Sequence, residues 1–202
     1  MTAADADAFA RCIAAGGVAL FPADTVYGLA ADPEAPAAVE RLYALKGRSP
    51  TRPAAVMFFA LEPVLAALPD LGPRTRAALG RLLPGPVTAV VPNPVRRYPL
   101  ACGPEPERLG VRVPDLRGAL EPLRAVAGPV LQSSANPTGG ADARRLDDVD
   151  PRIVAAVDLV LDGGELPGTP STVVDLSSYE DAGDYRVLRA GALAHADLRD
   201  RL

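Results

Sequence analysis

Apolar side chains recur along this chain with two periods. Within residues 3–15 they fall at 6, 9, 10, 13 and 14, the spacing of one helix face, and Gly16-Gly17 supplies a stop. Residues 33–46, PEAPAAVERLYALK, open with Pro and Glu and bring Ala38, Leu42 and Leu45 to one side, which predicts a helix of about three turns ending near Lys46. Short apolar runs read as strands: VALFP (18–22), AAVMFF (54–59), VTAVV (87–91), LGVRVP (109–114), PVLQSSA (129–135), DLVLDG (158–163), STVVDL (171–176) and YRVLR (185–189). AAVMFF is unbroken, as a strand covered on both faces requires. Helices are expected at 61–68, 73–82 and 115–126, near 151–156 and in the tail. The hydroxyl-bearing and small residues after Pro22, including Asp24, Thr25, Tyr27 and Gly28, read as a turn.

Strands and helices mix without strict βαβ alternation, which predicts an α/β or α+β fold with a twisted mixed sheet and helices packed on it. At 202 residues the chain is expected to form one domain, and its 22 prolines and 18 glycines fall mostly between elements. No apolar run approaches the ~18 residues of a membrane span. The start, MTAADADAFARC, is acidic and unlike a secretory leader, so the expected compartment is the cytoplasm.

Composition narrows the chemistry. Cys12 and Cys102 are far apart and in no metal-binding spacing, and the single histidine, His195, lies in a polar tail where a solvated helix residue is expected. Ordinary zinc sites and Ser-His or Cys-His relays therefore lack their parts, and no protein-built metal site is expected. A formal charge of −4 argues against a protein that coats nucleic acid, though not against a local basic cleft. Neither G-x-x-x-x-G-K-[ST] nor a strand-borne G-x-G-x-x-G is present.

Four stretches carry candidate chemistry beside a plain scaffold reading. FPADTVYGLAAD is a tight turn or places Thr25 in a cleft at a strand's end. Lys46-Gly47-Arg48 suits a helix dipole, but Lys46 is the only lysine in a chain with 21 Lys and Arg, and an arginine would serve a dipole equally. A compact ammonium meeting an oxyanion at close range resists that exchange, with Gly47 turning the backbone so that Arg48 converges on the same spot. QSSANPTGGAD delivers Gln132, Ser133, Ser134 and Asn136 into a glycine-softened loop, either a turn or an anion-receptive concavity. Ser171, Arg189 and Arg112 lie on or beside apolar strands and add to a shared cationic pocket.

FPADTVYGLAAD, LKGRSP, LPGPVTAVV, LGVRVPD, SSANPTG, PSTVVDL and VLRAG occur in the order and spacing that resemble the YrdC-like family, over about residues 9–193, in its short single-domain form. The resemblance implies a twisted sheet with a concave basic face and a threonylcarbamoyl-AMP synthase activity using ATP, L-threonine and bicarbonate. Its product would serve the N6-threonylcarbamoyladenosine modification of tRNA through a downstream transferase complex, and a weak tRNA contact is a further implication. By position, Lys46, Arg48, Arg52, Ser134, Asn136 and Arg189 would hold ATP, with Lys46 and Arg48 central to catalysis. Thr25, Arg112, Gln132 and Ser171 would surround threonine. Mg2+ would arrive with ATP, held mainly by substrate oxygens. Departures are Met57 and Leu116, where relatives often have histidine, Asp142 in place of a common hydroxyl, and Arg52 in place of a frequent Asn. They leave open a relative that uses another amine or carbamoyl compound. An RNA-binding module is the other alternative, and the acidic total weighs against it.

Overall fold

The computed structural model describes residues 1–202. Helix α1 (Ala3–Ala14) starts at a capping box, in which Thr2 and Asp5 satisfy each other's backbone N–H groups. It buries Ala6, Phe9 and Ile13. Phe9 packs on Phe21 at 5.0 Å and edge-on to Phe59 at 5.8 Å between ring centroids, which fixes the helix against the sheet.

Next come β1 (Ala19–Ala23), β2 (Val26–Ala31), α2 (Pro36–Leu45) and β3 (Ala55–Met57). Helices α3 (Leu61–Ala67) and α4 (Pro73–Leu82) lead to β4 (Val87–Pro92), the short α5 (Pro99–Cys102) and β5 (Arg108–Arg112). A 3-10 helix (Gly118–Ala125) precedes β6 (Val130–Ser134), followed by α6 (Pro151–Val154), β7 (Leu159–Val160), β8 (Thr172–Asp175), α7 (Tyr179–Ala182), β9 (Arg186–Arg189) and α8 (His195–Arg201). The nine strands form one mixed sheet in the order β7-β1-β2-β6-β3-β5-β4-β8-β9.

Two expectations change. The segment after Pro22 is a hairpin rather than an extended turn: Asp24 and Thr25 alone connect β1 to β2, with Ala23 opposite Val26. All six residues of β2 are buried, Tyr27 and Gly28 among them. The segment 115–126 is 3-10 rather than α-helical, and Pro122 inside it removes a helical donor.

A core of 53 buried residues lies between the sheet and its helices. Alternation along each strand decides which face a residue meets. In β5, Leu109 and Val111 are fully buried while Arg108, Gly110 and Arg112 line a cleft on the other face. In β4, Val87, Ala89 and Val91 are core and Thr88 and Val90 line the cleft. His195 is exposed at the start of α8, and neither cysteine is in a disulfide. In the proline-rich segment 93–108, the amide of the buried Asn93 donates to Arg97 O and Pro106 O at 2.9 Å each.

Candidate functional site

The cleft has a volume of about 350 Å³ and crosses the sheet from the β6 loop to β9. Among the residues singled out in the sequence, it is lined by Arg48, Arg112, Gln132, Ser134, Ser171 and Arg189. Thr25, Lys46 and Asn136 are buried immediately behind that lining, and Arg52 is exposed outside it.

At one end, α2 ends at Lys46 and Gly47 takes the left-handed conformation at φ 57°, so the chain reverses and the Arg48 N–H bonds Tyr43 O at 2.9 Å. Lys46 is 3% exposed. Its ammonium donates to Ser134 O, to Asn136 O at 2.6 Å and to Asn136 Oδ1 at 3.1 Å. Its carbonyl accepts from Thr138 N at 2.8 Å, so the K-x-R and S-x-N segments form one unit. Three tetrahedral N–H donors meet three converging acceptors, a pattern that a planar guanidinium does not match. Burial, followed by repulsion from Arg48, pushes the Lys46 pKa down to about 8, against the pull of Asp142.

Arg48 donates to backbone carbonyls of Arg52 and Pro53 and packs on the Tyr43 ring, 5.9 Å from its centroid. Arg189 donates to Ser171 O at 2.7 Å and to Ser171 Oγ at 3.1 Å. Ser171 Oγ in turn shares a 2.9 Å hydrogen bond with Thr88 Oγ1. Neither arginine has a carboxylate partner within ion-pair distance, whereas Arg108 bridges Glu105 and Asp175 farther along the cleft. Desolvation holds the pKa of both Arg48 and Arg189 below the usual arginine range; Arg189 further depresses Arg48, and Arg112 further depresses Arg189. Asp142 opposes the fall at Arg189 and is itself only half-buried.

At the other end, Arg112 reaches the tip of the β1–β2 hairpin. Its Nη2 donates to Ala23 O at 2.9 Å, to Thr25 Oγ1 at 2.6 Å and to the Asp24 carboxylate, and its Nη1 reaches Gln132 Oε1 at 3.4 Å. The Gln132 side chain lies against Gly28, where a Cβ would stand 2.7 Å from Gln132 Nε2. Thr25 therefore meets Arg112 rather than the cleft directly. Met57 is fully buried opposite Arg112 in register, Leu116 is buried elsewhere, and neither lines the cleft.

Sequence reasoning took Asp24 only as a turn residue and passed over Thr88 and Arg108. Arg108-x-Gly-x-Arg112 does carry the even spacing that puts two arginines on one strand face. The partnership of Asp24 with Arg112, 88 positions apart, leaves no such trace.

Fold and cleft together define a mixed α/β protein with an arginine-lined groove across one sheet face. A profile of the Sua5/YciO/YrdC family, described as "Telomere recombination", matches residues 11–191, and the chain belongs to that family. It is 40% identical over 183 residues to a Chromohalobacter salexigens protein named threonylcarbamoyl-AMP synthase, covering 87% of this chain and 96% of that one. The crystal structure of P. abyssi Sua5 complexed with L-threonine superposes with a TM-score of 0.85 at 25% identity, over 100% of this chain and 58% of that longer one. The E. coli YciO structure shares the fold, with a TM-score of 0.79 at 22% identity over 98% of this chain and 94% of that one.

Proposed function

We propose that this protein is a threonylcarbamoyl-AMP synthase, combining L-threonine, bicarbonate and ATP into threonylcarbamoyl-AMP and pyrophosphate. The observation that carries the reading is that one cleft joins Arg48, Arg189 and the Lys46-tied Ser134–Asn136 loop at one end to Arg112 at the other. Names borne by relatives of which this chain covers 96% and 85% support it. Met57 and Leu116, the departures that raised another substrate, are both buried, Met57 beside Arg112 in register.

In this reading the triphosphate lies on Arg48, Arg189 and the Ser134 hydroxyl. Lys46 reaches it by exchanging its longest bond, the 3.1 Å one to Asn136 Oδ1, for a phosphoryl oxygen. Arg52 contributes field from outside the lining. The threonine carboxylate meets Arg112, flanked by Gln132 and Ser171, while Thr25 holds Arg112 from behind. The amine of threonine adds to the carbon of bicarbonate, losing water to give a carbamate. A carbamate oxygen then bonds the α-phosphorus as the bond to pyrophosphate breaks. No protein nucleophile takes part; the chain aligns the reactants and places cations where charge accumulates.

No group of three or more His, Cys, Asp or Glu side chains is placed to hold a metal. The oxygen donors beside the cationic end, Ser134 and Asp142, fit Mg2+ brought in on ATP and coordinated mainly by substrate oxygens and water. When bound, it supplies neutralisation of triphosphate charge. The adenylate would pass to a transferase complex acting on tRNA.

Incubation with ATP, Mg2+, bicarbonate and each amino acid in turn, following pyrophosphate, tests the proposal. Release with threonine is expected. Release with another amino acid alone, or none at all beside tight tRNA binding, overturns it.

A further inference from the structure

The carboxylate of Asp24 has no place in the chemistry above, yet it is held under conditions that a scaffold residue seldom needs. Asp24 sits at φ 58°, the left-handed region, where glycine or asparagine would serve the two-residue turn at least as well. Its side chain is 6% exposed and faces an Arg112 side chain that is 3% exposed. One oxygen accepts from Arg112 Nη2, and the other accepts from Asp115 N at 2.9 Å. Each carboxylate oxygen thus has its own donor, and the hairpin tip is pinned to the strand that carries Arg112. In the sheet, β6 and β3 separate β2 from β5, so this pair bridges the cleft floor rather than joining neighbouring strands.

The pair has two consequences. Nη2 already serves three acceptors on residues 23, 24 and 25, whereas Nη1 has one long contact and Nε has no partner at all. Nε is buried as well as unpartnered, so the donor capacity left to Arg112 on the cleft side is that of Nη1, directed away from the hairpin. Its charge is also matched before any ligand arrives, unlike that of Arg48 and Arg189, which bond only carbonyl and hydroxyl oxygens. A buried cation with a carboxylate against it attracts a second anion much less than a bare one does, and what remains is directional hydrogen bonding.

We infer that Asp24 is a positioning residue that sorts the two anionic substrates along the cleft: by compensating Arg112 it reserves that end for a monoanionic carboxylate and leaves the polyphosphate to the uncompensated end. The inference rests on the proposed synthase reading, with Arg112 as the carboxylate partner. Without Asp24, Arg112 joins Arg48 and Arg189 as a cation with no carboxylate against it, and phosphate-type anions compete there with the amino acid.

The test is inhibition of the full-length enzyme by inorganic pyrophosphate, comparing wild type with Asp24→Asn, which keeps the left-handed turn and most of the side chain's shape. In the wild type, pyrophosphate competes with ATP and not with threonine. In the variant, pyrophosphate is expected to become competitive with threonine as well, with the threonine KM raised at least fivefold and the ATP KM within twofold. A variant that keeps the wild-type inhibition pattern overturns the inference, as does equal loss of affinity for both substrates. If Asp24→Asn does not fold, Asp24→Gly, whose glycine accepts φ 58° without strain, gives the same readout; failure of both to fold shows the carboxylate to be needed by the fold alone and overturns the sorting role. Absence of threonine-dependent turnover in the wild type instead defeats the synthase reading, so the two failures are distinguishable.

Discussion

At the hairpin end of the cleft, Arg112 is surrounded by side chains and carbonyls that use up one nitrogen and match its charge, and the whole arrangement is buried. At the loop end, Arg48 and Arg189 face the cleft with no carboxylate against them, and a buried ammonium stands behind them, tied to the backbone of β6 and its loop. The first end is built to recognise by direction, because its field is already spent. The second attracts by charge, because desolvated cations with lowered pKa gain most when an anion arrives. In the proposed reading, one sheet face thereby offers two different anion sites without a glycine-rich phosphate cradle.

Removing a charge from the loop end should separate the two most sharply. Arg48→Ala is expected to lower kcat/KM for ATP by about a hundredfold or more, ~3 kcal/mol, the scale of losing a cation aimed at developing charge. Threonine binding measured by calorimetry should stay within about twofold; a parallel loss would mean that the ends act as one site. Lys46→Arg conserves charge but cannot reproduce three converging donors, and turnover should drop at least about tenfold, or ~1.4 kcal/mol. Unchanged turnover would remove Lys46 from the mechanism.

A milder effect is expected from the hairpin side. Gly28→Ala places a Cβ 2.7 Å from Gln132 Nε2 and 3.2 Å from Ser133 O, so Gln132 must shift away from Arg112. Overpacking of that kind costs about 1 kcal/mol, and it should appear as a rise of about fivefold in the threonine KM, with the ATP KM unmoved. The smallest effect on substrate binding is one of pH. Folded Lys46 gives up its proton near pH 8, whereas the unfolded chain keeps it up to the ordinary lysine value of 10.5. The unfolded state therefore binds the extra proton between those values, and stability gains from this group as pH rises through the window. ATP affinity runs the opposite way, weakening a few-fold as the cation is lost. Titration of both quantities, with Lys46→Arg as the variant whose charge stays constant, checks the two signs.

Much of this was legible from residue patterns. Helices α3 and α4 coincide with the apolar spacing, and all eight strands other than β2 lie on or within one residue of the apolar runs read for them, because burial imposes the period directly. Strand β2 escaped because its Thr25-to-Gly28 entry looks like turn chemistry; its six buried positions show that small and aromatic residues can fill a strand packed on both faces. Lys46 drew notice through its rarity and its place in LKGRSP, and the sequence could not show that its first partners are carbonyl oxygens. Arg112 was visible as a charge interrupting a strand, but Asp24 opposite it was not, since periodicity is local and ion pairing across a cleft is not.

The strand order has one more consequence, for synthesis. Arg48 leaves the ribosome early, Ser134 well after the chain's midpoint and Arg189 close to the end, and β8 must reach β4 before β9 can add to the edge. At about 5–20 residues per second, the nascent chain spends on the order of ten seconds or more with half a sheet and no groove. The groove that holds both Arg48 and Arg189 is therefore complete only once the last edge strand docks, and a chain stalled before it would present unpaired strand edges.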